Sequence, residues 1–135
     1  HTISFGVKYN EISLGQFKAD GIIFSTSTGS TAYSASAGGP ILDPSLDVVC
    51  LTLINAFSLS SRPVVLNSDG LLEIEILPSR VSDVVITVDG QIPVELKVDD
   101  KIVISKSPKK VLLVGCDSRR FYEALKSKMH WFGGV

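Results

Sequence analysis

Short segments in which apolar and polar residues alternate recur along most of the chain, and turn residues separate them. Clear examples are residues 2–8, 72–76, 94–98 and 101–105. A period of two is typical of strands that bury one face. Because turn signals return at intervals of about ten residues, the pattern predicts a mainly β chain with a β-sandwich-like architecture.

The remaining apolar segments complete the predicted set of strands, which adds residues 12–18, 21–24, 48–53, 63–66, 83–89 and 111–114. Asn10-Glu11 is predicted to join the first two strands as a hairpin, and Asp89-Gly90 is a strong tight-turn signal. The runs at 48–53 and 111–114 are continuously apolar, which favours strands buried on both faces.

Two helices interrupt this pattern. The C-terminal one is predicted to begin at Asp117 or Ser118, and its apolar residues recur at helical spacing: Phe121, Ala124, Leu125 and Met129. A short helix over residues 31–37 is predicted to be capped by Gly29 or Ser30 and to end at Gly-Gly-Pro. We find no internal repeat and no domain boundary, so residues 1–135 are expected to form a single domain.

Composition excludes two classes of partner. The chain is 44% hydrophobic and 20% charged, with a net charge of −1, whereas nucleic-acid binding needs clustered lysine and arginine. The basic segment 106–110 is interpreted as a solvated turn. No apolar run approaches the roughly 18 residues that span a bilayer. A mean hydropathy of +0.31 is high for a small soluble domain, and predicts that apolar surface contacts another domain or subunit.

Neither the cysteines nor the histidines form a pattern of metal ligands. Cys50 and Cys116 lie far apart beside apolar residues and are expected to be buried free thiols. His1 is terminal and His130 lies beside Trp131, so we predict no metal site. Since no signal peptide is evident, a cytoplasmic protein is expected.

Residues 25–40, here called the Ser/Thr loop, read STSTGSTAYSASAGGP. Apolar segments flank the loop on both sides, so it is interpreted as a structured loop and not as a tether. A helix N-terminus with nearby hydroxyl groups suits a phosphate, and Tyr33 on the first turn suits a base or a ribose. The loop lacks both the P-loop and the dinucleotide-binding patterns. From spacing alone, an ordinary hydroxyl-rich helix cap explains it equally well.

Four segments together resemble the ATP-NAD kinase family. They are Ala-Asp-Gly at 19–21 followed by the Ser/Thr loop, Ser-Leu-Ser-Ser-Arg-Pro at 58–63, Val-Asp-Gly-Gln at 88–91, and the tail from Phe121 to Trp131. The family's corresponding loop reads Thr-Pro-Thr-Gly-Ser-Thr-Ala-Tyr and ends in Ser-Ala-Gly-Gly-Pro. Ser27 replaces its proline, and Ala56-Phe57 replaces a common Pro-His. These departures affect loop stiffness and one polar contact.

The family's Gly-Gly-Asp-Gly-Thr motif does not occur in this sequence. In the family it lies in an N-terminal α/β domain, binds the ATP phosphates and supplies the aspartate assigned as base. Asn10-Glu11 lies too close to Asp20 to match the family's Asn-Glu motif, and is interpreted as a hairpin turn. The resemblance therefore implies a C-terminal domain without its N-terminal ATP-binding domain, with no catalytic residue of its own and inactive alone.

The resemblance implies phosphoryl transfer from ATP, with Mg²⁺, to the 2′-hydroxyl of the adenosine ribose of NAD, which yields NADP. The implied NAD-binding residues are Asp20, Thr28, Thr31, Ala32, Tyr33 and Ser36. Thr31 and Ala32 would face the adenine and its ribose. Thr28 and Ser36 would add hydroxyl contacts near the nicotinamide end. Asp20 and Tyr33 would contact NAD in a site partly shared with a neighbouring subunit of a homodimer or homotetramer.

Two further residues are candidates. Arg62 is expected to bind a phosphate or to form a structural salt bridge. Asp89 is expected to be a ligand or a hairpin-turn residue. Two other functions stay open at this point. One is a purely structural, oligomerising β-domain, and the other is a lipid- or nucleoside-kinase relative. The sequence does not distinguish NAD from NADH, or ATP from polyphosphate.

Overall fold

A computed structural model describes residues 1–81 and 83–131. Within these residues nine strands and two helices follow one another: β1 (Ile3–Tyr9), β2 (Ile12–Ala19), β3 (Gly21–Thr26), α1 (Tyr33–Ser36), β4 (Val48–Ile54), β5 (Val64–Asn67), β6 (Leu72–Leu77), β7 (Val84–Ile86), β8 (Val94–Leu96), β9 (Lys101–Ile104) and α2 (Ser118–Ser127). A 3-10 turn at Thr28–Thr31 precedes α1. The predicted mainly β fold with two helices is confirmed.

The largest sheet is antiparallel, with strand order β2-β1-β6-β9. The β1–β2 hairpin turns at Asn10 and Glu11, as predicted, and both residues have positive φ (49° and 66°). Two consecutive residues of positive φ are characteristic of the two-residue turns that match the twist of paired strands. The alternation in β6 is also confirmed, because Leu72, Ile74 and Ile76 are all buried.

The second sheet is antiparallel with order β3-β4-β5, and β7 and β8 form a separate hairpin. In that hairpin Asp89 and Gly90 have φ of 50° and 68°, and the Gln91 amide donates to the Val88 carbonyl at 3.0 Å. Asp89 therefore occupies the tight turn that its sequence context predicts.

The core lies between the two larger sheets, which gives the sandwich-like arrangement. Phe5, Val7 and Ile74 come from the first sheet and Leu51 from the second. Partly buried side chains of β3, β4 and β5 cover the same cluster: Ile22, Phe24, Val49, Leu53 and Leu66. Strands of both larger sheets thus share one core.

The C-terminal segment departs from the prediction. Residues 111–114 form no strand, and Val111, Leu112, Leu113 and Val114 are 85%, 90%, 53% and 93% exposed. A strand needs a neighbour to pair with, and the described part of this chain pairs none with these residues. Cys116, expected to be buried, is also exposed, whereas Cys50 is buried as expected.

Helix α2 begins where the sequence predicts. The Asp117 side chain accepts a hydrogen bond at 2.8 Å from the Arg120 amide, which caps the helix. However, α2 buries none of its residues. Residues 111–131, here called the tail, therefore hold an apolar segment that the described residues leave exposed and an amphipathic helix that they cover only in part.

Candidate functional site

The Ser/Thr loop divides its residues between an inner and an outer face. Ser27, Ser30 and Ser34 are buried, with exposed fractions of 5%, 0% and 1%. Five of the predicted ligand residues are exposed on the opposite, outer face of the loop: Thr28, Thr31, Ala32, Tyr33 and Ser36. The loop is thus a structured element that displays the predicted residues to solvent.

Two buried serines join the loop to the segment that follows it. The Ser30 hydroxyl donates to the Ser27 carbonyl at 2.7 Å and accepts from the Leu42 amide at 2.9 Å. The Ser27 hydroxyl donates to the Leu46 carbonyl. Because buried polar groups are costly when unpaired, these bonds hold the loop against residues 42–46.

The third buried serine joins the loop to the second sheet. The Ser34 hydroxyl lies 3.1 Å from the Thr52 hydroxyl on β4, and Cys50 Sγ lies 3.6 Å from the same oxygen. Gly39 packs over this group. A Cβ at Gly39 would lie 2.4 Å from Ser34 Oγ and 2.7 Å from Thr52 Oγ1, so only glycine fits there.

The predicted helix N-terminus is not formed as expected. Residues 31–37 were predicted as one capped helix, but they divide between the 3-10 turn and the four-residue α1. Ala32 precedes α1 and makes no side-chain capping bond, while Ser30 turns inward to the bonds above. The predicted extent of this helix is therefore wrong, and so short a helix has little macrodipole to offer a phosphate.

Asp20 lies at the opposite end of β3 from the Ser/Thr loop. Its carboxylate accepts a hydrogen bond at 3.0 Å from the Asn55 side chain, and its amide donates to the Ile54 carbonyl at 2.9 Å. Strand β3 has six residues, which corresponds to roughly 17 Å between its ends. The loop folds back from the far end, however, because Ser34 contacts Thr52, the partner of Ile23 in the middle of β3.

The two further candidates also lie away from the loop's outer face. Arg62 is exposed in the connection before β5, and the β4–β5 register places it at the Asp20 end of the second sheet. Within residues 1–81 and 83–131, no ion pair of Arg62 is present. Asp89 lies in the β7–β8 hairpin.

Charged groups border the segment that follows the loop. Hydrogen bonds from Tyr122 (2.6 Å) and the Ser45 amide (2.9 Å) hold the pKa of the Asp43 carboxyl below its usual value. The same contact raises the pKa of Tyr122. Lys106, and then Ser68, lower the pKa of Asp47 by hydrogen bonding to its carboxylate.

A surface cleft of about 590 Å³ begins at Thr26 and Ser27 and contains Lys106, Lys109 and Lys110 on its wall. Lys106 pairs with Asp47 and, at 3.6 Å, with Asp69. The carboxylates thus offset much of the positive charge. We therefore do not count this cleft as an anion site.

Sequence reasoning missed the buried serines as a group. Ser30 was considered only as a helix cap, and Ser27 only as a departure from a family motif. Their spacing offered a signal, because positions 27, 30 and 34 fall on one face of a helical turn. The sequence gives no signal for their partners, because Leu42 and Leu46 bond these serines through backbone groups that any residue has.

Comparison with known proteins gives a consistent result. The ATP-NAD kinase C-terminal domain profile matches residues 1–116. An NAD kinase of Treponema denticola is 53% identical over 97% of this chain and 46% of its own length. An NAD kinase of Treponema pallidum is 48% identical over 96% of this chain and 42% of its own length. The chain thus spans less than half the length of these curated relatives.

Solved structures agree in fold. Yeast NADH kinase complexed with NADH has a TM-score of 0.86 at 27% identity, covering 100% of this chain and 42% of that one. An NAD kinase from Archaeoglobus fulgidus in complex with ATP has a TM-score of 0.81 at 26% identity, covering 98% and 49%. Across the described residues, no helix has the length and apolar character to cross a membrane.

Proposed function

The chain belongs to the ATP-NAD kinase C-terminal domain family, and we propose that it supplies the NAD-binding and subunit-contact part of an NAD kinase. The complete enzyme would transfer a phosphoryl group from ATP to the 2′-hydroxyl of the adenosine ribose of NAD. The observation that carries this proposal is the outer face of the Ser/Thr loop, where five predicted ligand residues are exposed on a buried serine frame.

The outer face suits a dinucleotide in chemistry and in rigidity. Tyr33 is 62% exposed, so its ring is available to stack on adenine and its hydroxyl to bond a ribose. Thr31 and Ala32 would face the adenine and its ribose, while Thr28 and Ser36 would bond the nicotinamide end. Because buried bonds already order the loop, binding costs less conformational entropy.

Catalysis in this reaction depends mainly on positioning the acceptor and neutralising charge. This chain would orient the ribose 2′-hydroxyl. The phosphate-binding motif and the base would come from the longer polypeptide that the relatives have. We therefore propose that the chain alone binds NAD weakly and makes no NADP.

The proposed site is shared between subunits, as the family resemblance implies. Asp20 is exposed, so its carboxylate is open to an NAD bound at the Tyr33 of a second copy of the chain. A homodimer or homotetramer is therefore part of the proposal. The cytoplasmic location expected from the sequence stays a prediction.

Mg²⁺ would supply charge neutralisation at the transferred phosphate in the complete enzyme. Among residues 1–81 and 83–131, no group of three or more His, Cys, Asp or Glu side chains is arranged to hold a metal ion. We assign no Mg²⁺ ligand to this chain and derive no step through the metal.

The exposed tail is the surface on which this chain would meet the rest of the polypeptide. Its four apolar residues at 111–114 and the amphipathic α2 need cover, and the relatives are more than twice as long as the matched region. We propose that the additional domain of the longer protein covers the tail.

Calorimetric titration of the chain with NAD tests the binding proposal, at protein concentrations that preserve an oligomer. We expect measurable binding that Tyr33→Ala abolishes. Tyr33→Phe keeps the ring and removes only the hydroxyl, so it separates stacking from hydrogen bonding. NADP formation by the isolated chain from NAD, ATP and Mg²⁺ would contradict the proposed division of roles.

A structural, oligomerising domain is the second candidate, and the apolar surface of the tail favours it. In that case sedimentation would show association of the chain, and NAD would release no heat. Binding of NAD to the longer natural polypeptide, but not to this chain, would place the complete site only where both parts meet.

A further inference from the structure

A hydrogen bond joins the tail to the segment that supports the Ser/Thr loop. The Tyr122 hydroxyl on α2 donates to Asp43 Oδ2 at 2.6 Å, across 79 positions of sequence. Tyr122 is 51% exposed, and α2 buries none of its residues. This contact therefore adds nothing to the packing of the core. Because it lies beside the segment that supports the loop, we consider its effect on the loop.

Asp43 begins a tight turn, here called the Asp43 turn, over residues 43–46. Its second carboxylate oxygen accepts from the Ser45 amide at 2.9 Å, and its carbonyl accepts from the Leu46 amide at 3.0 Å. Asp43 therefore orients the turn through one oxygen while Tyr122 occupies the other.

The Asp43 turn and its neighbour Leu42 provide the partners of two buried serines of the loop. The Leu42 amide donates to the Ser30 hydroxyl at 2.9 Å, and the Leu46 carbonyl accepts from the Ser27 hydroxyl. A shift of the turn would move both partners together. Because Ser27 and Ser30 flank Thr28, such a shift would also displace the outer face of the loop.

We propose that Tyr122 is a positioning residue for NAD binding, which acts through Asp43 and the Asp43 turn on the Ser/Thr loop. It contacts neither substrate nor reacting atoms. It sets the position of the serine partners, and so the arrangement of the outer face. This inference rests on the proposed function, because it assumes that the outer face binds NAD.

The test uses a polypeptide that joins this sequence to the proposed N-terminal domain, with steady-state kinetics for both substrates. Tyr122→Phe removes only the hydroxyl. We expect it to raise the KM for NAD by roughly three- to tenfold, as for loss of one hydrogen bond to a charged acceptor. The kcat and the KM for ATP should stay near those of the parent, which a general loss of structure would not allow.

A double-mutant cycle identifies the route of the effect. Tyr122→Phe should have no further effect in an Asp43→Ala background, because the acceptor is already gone. Tyr9→Phe is the matched control: Tyr9 also donates one hydrogen bond, to the Asn67 carbonyl at 2.8 Å, but Asn67 belongs to β5 and not to the Asp43 turn. It should leave the KM for NAD unchanged.

Contrary results have distinct meanings. An unchanged KM for NAD in Tyr122→Phe, or additive effects of the two substitutions, would overturn the role of Tyr122. So would an equal rise in Tyr9→Phe. The proposed function is judged separately by Tyr33→Ala, since an unchanged KM for NAD in that variant would remove the outer face from the NAD site.

Discussion

The Ser/Thr loop and the tail reverse the usual relation between composition and burial. The loop is rich in hydroxyl groups, yet Ser27, Ser30 and Ser34 are among the buried residues of the chain. The tail is rich in aliphatic side chains, yet Val111 and Leu112 are 85% and 90% exposed. The buried serines of the loop have partners within the described residues, whereas those residues leave the aliphatic side chains at 111–114 uncovered.

The difference shows what each region contributes. Ser27 and Ser30 bond backbone groups and Ser34 bonds the Thr52 hydroxyl, so these three form a support without a charge, although the buried Ser25 hydroxyl has no partner among the described residues. Aliphatic groups gain stability only when another apolar surface covers them. The loop is therefore complete as a structural element, and the tail is an interface that needs a partner.

The sharpest test of the loop as a complete element is Gly39→Ala. The added Cβ would lie 2.4 Å from Ser34 Oγ and 2.8 Å from the Ser34 carbonyl oxygen. We expect a loss of about 3 kcal/mol in the free energy of unfolding, measured in urea. The control is Gly38→Ala, where φ is +89° but no heavy atom lies within 4 Å. A loss of only about 1 kcal/mol is expected there.

Ser30→Ala tests whether the buried hydroxyls are the source of the loop's rigidity. It would leave the Leu42 amide and the Ser27 carbonyl without their shared partner. We expect a loss of about 2 kcal/mol in unfolding free energy. Thr31→Ala is the exposed counterpart, with a bond of 3.5 Å, and should change stability by less than about 0.5 kcal/mol. Equal losses of unfolding free energy in the two variants would contradict the division of the loop into a buried inner face and an exposed outer face.

Leu112→Asn tests whether the tail is an interface that another domain covers. Because Leu112 is 90% exposed, the substitution should change the stability of this chain by less than about 0.5 kcal/mol. In the longer natural polypeptide the same change should cost about 2 kcal/mol, since the side chain would then be covered. Thermal and urea unfolding of both proteins give the comparison. An equally small effect in both proteins would contradict the proposal that another domain covers the tail.

The smallest expected effect lies where the two regions meet. The hydrogen bond from Tyr122 is the main cause of the lowered pKa of Asp43. A carboxyl with a lowered folded pKa stabilises the fold above its unfolded value of 3.8, and the contribution disappears as pH falls through the folded pKa. Urea midpoints measured from pH 6 downward should fall less steeply in Tyr122→Phe. A steeper fall would contradict the assignment.

Much of the fold was predictable because the signals were local. The β1–β2 hairpin, the Asp89-Gly90 turn, the alternation in β6 and the Asp117 cap all depend on neighbouring residues. Prediction was wrong where the outcome depended on distant partners. Residues 111–114 read as a buried strand, but burial needs a neighbouring strand, and the chain does not provide one among its described residues.

The candidate site also has one part that the sequence predicts and another that depends on distant partners. The motif identified Thr28, Thr31, Ala32, Tyr33 and Ser36 as ligand residues, and that assignment stays a prediction. Which hydroxyls turn inward was decided by Leu42, Leu46 and Thr52, and these contacts form only when the second sheet and the Asp43 turn are assembled.

The sequence by itself determined the strands, the turns, the capped α2 and the family to which the chain belongs. Backbone preference and short-range periodicity suffice for the elements, because they act within a few residues. That Ser30 is buried and Leu112 exposed, and that the Ser/Thr loop folds back over the middle of β3, follows only from the tertiary structure. Burial and proximity depend on which distant surfaces meet, and a pattern of neighbours does not contain that information.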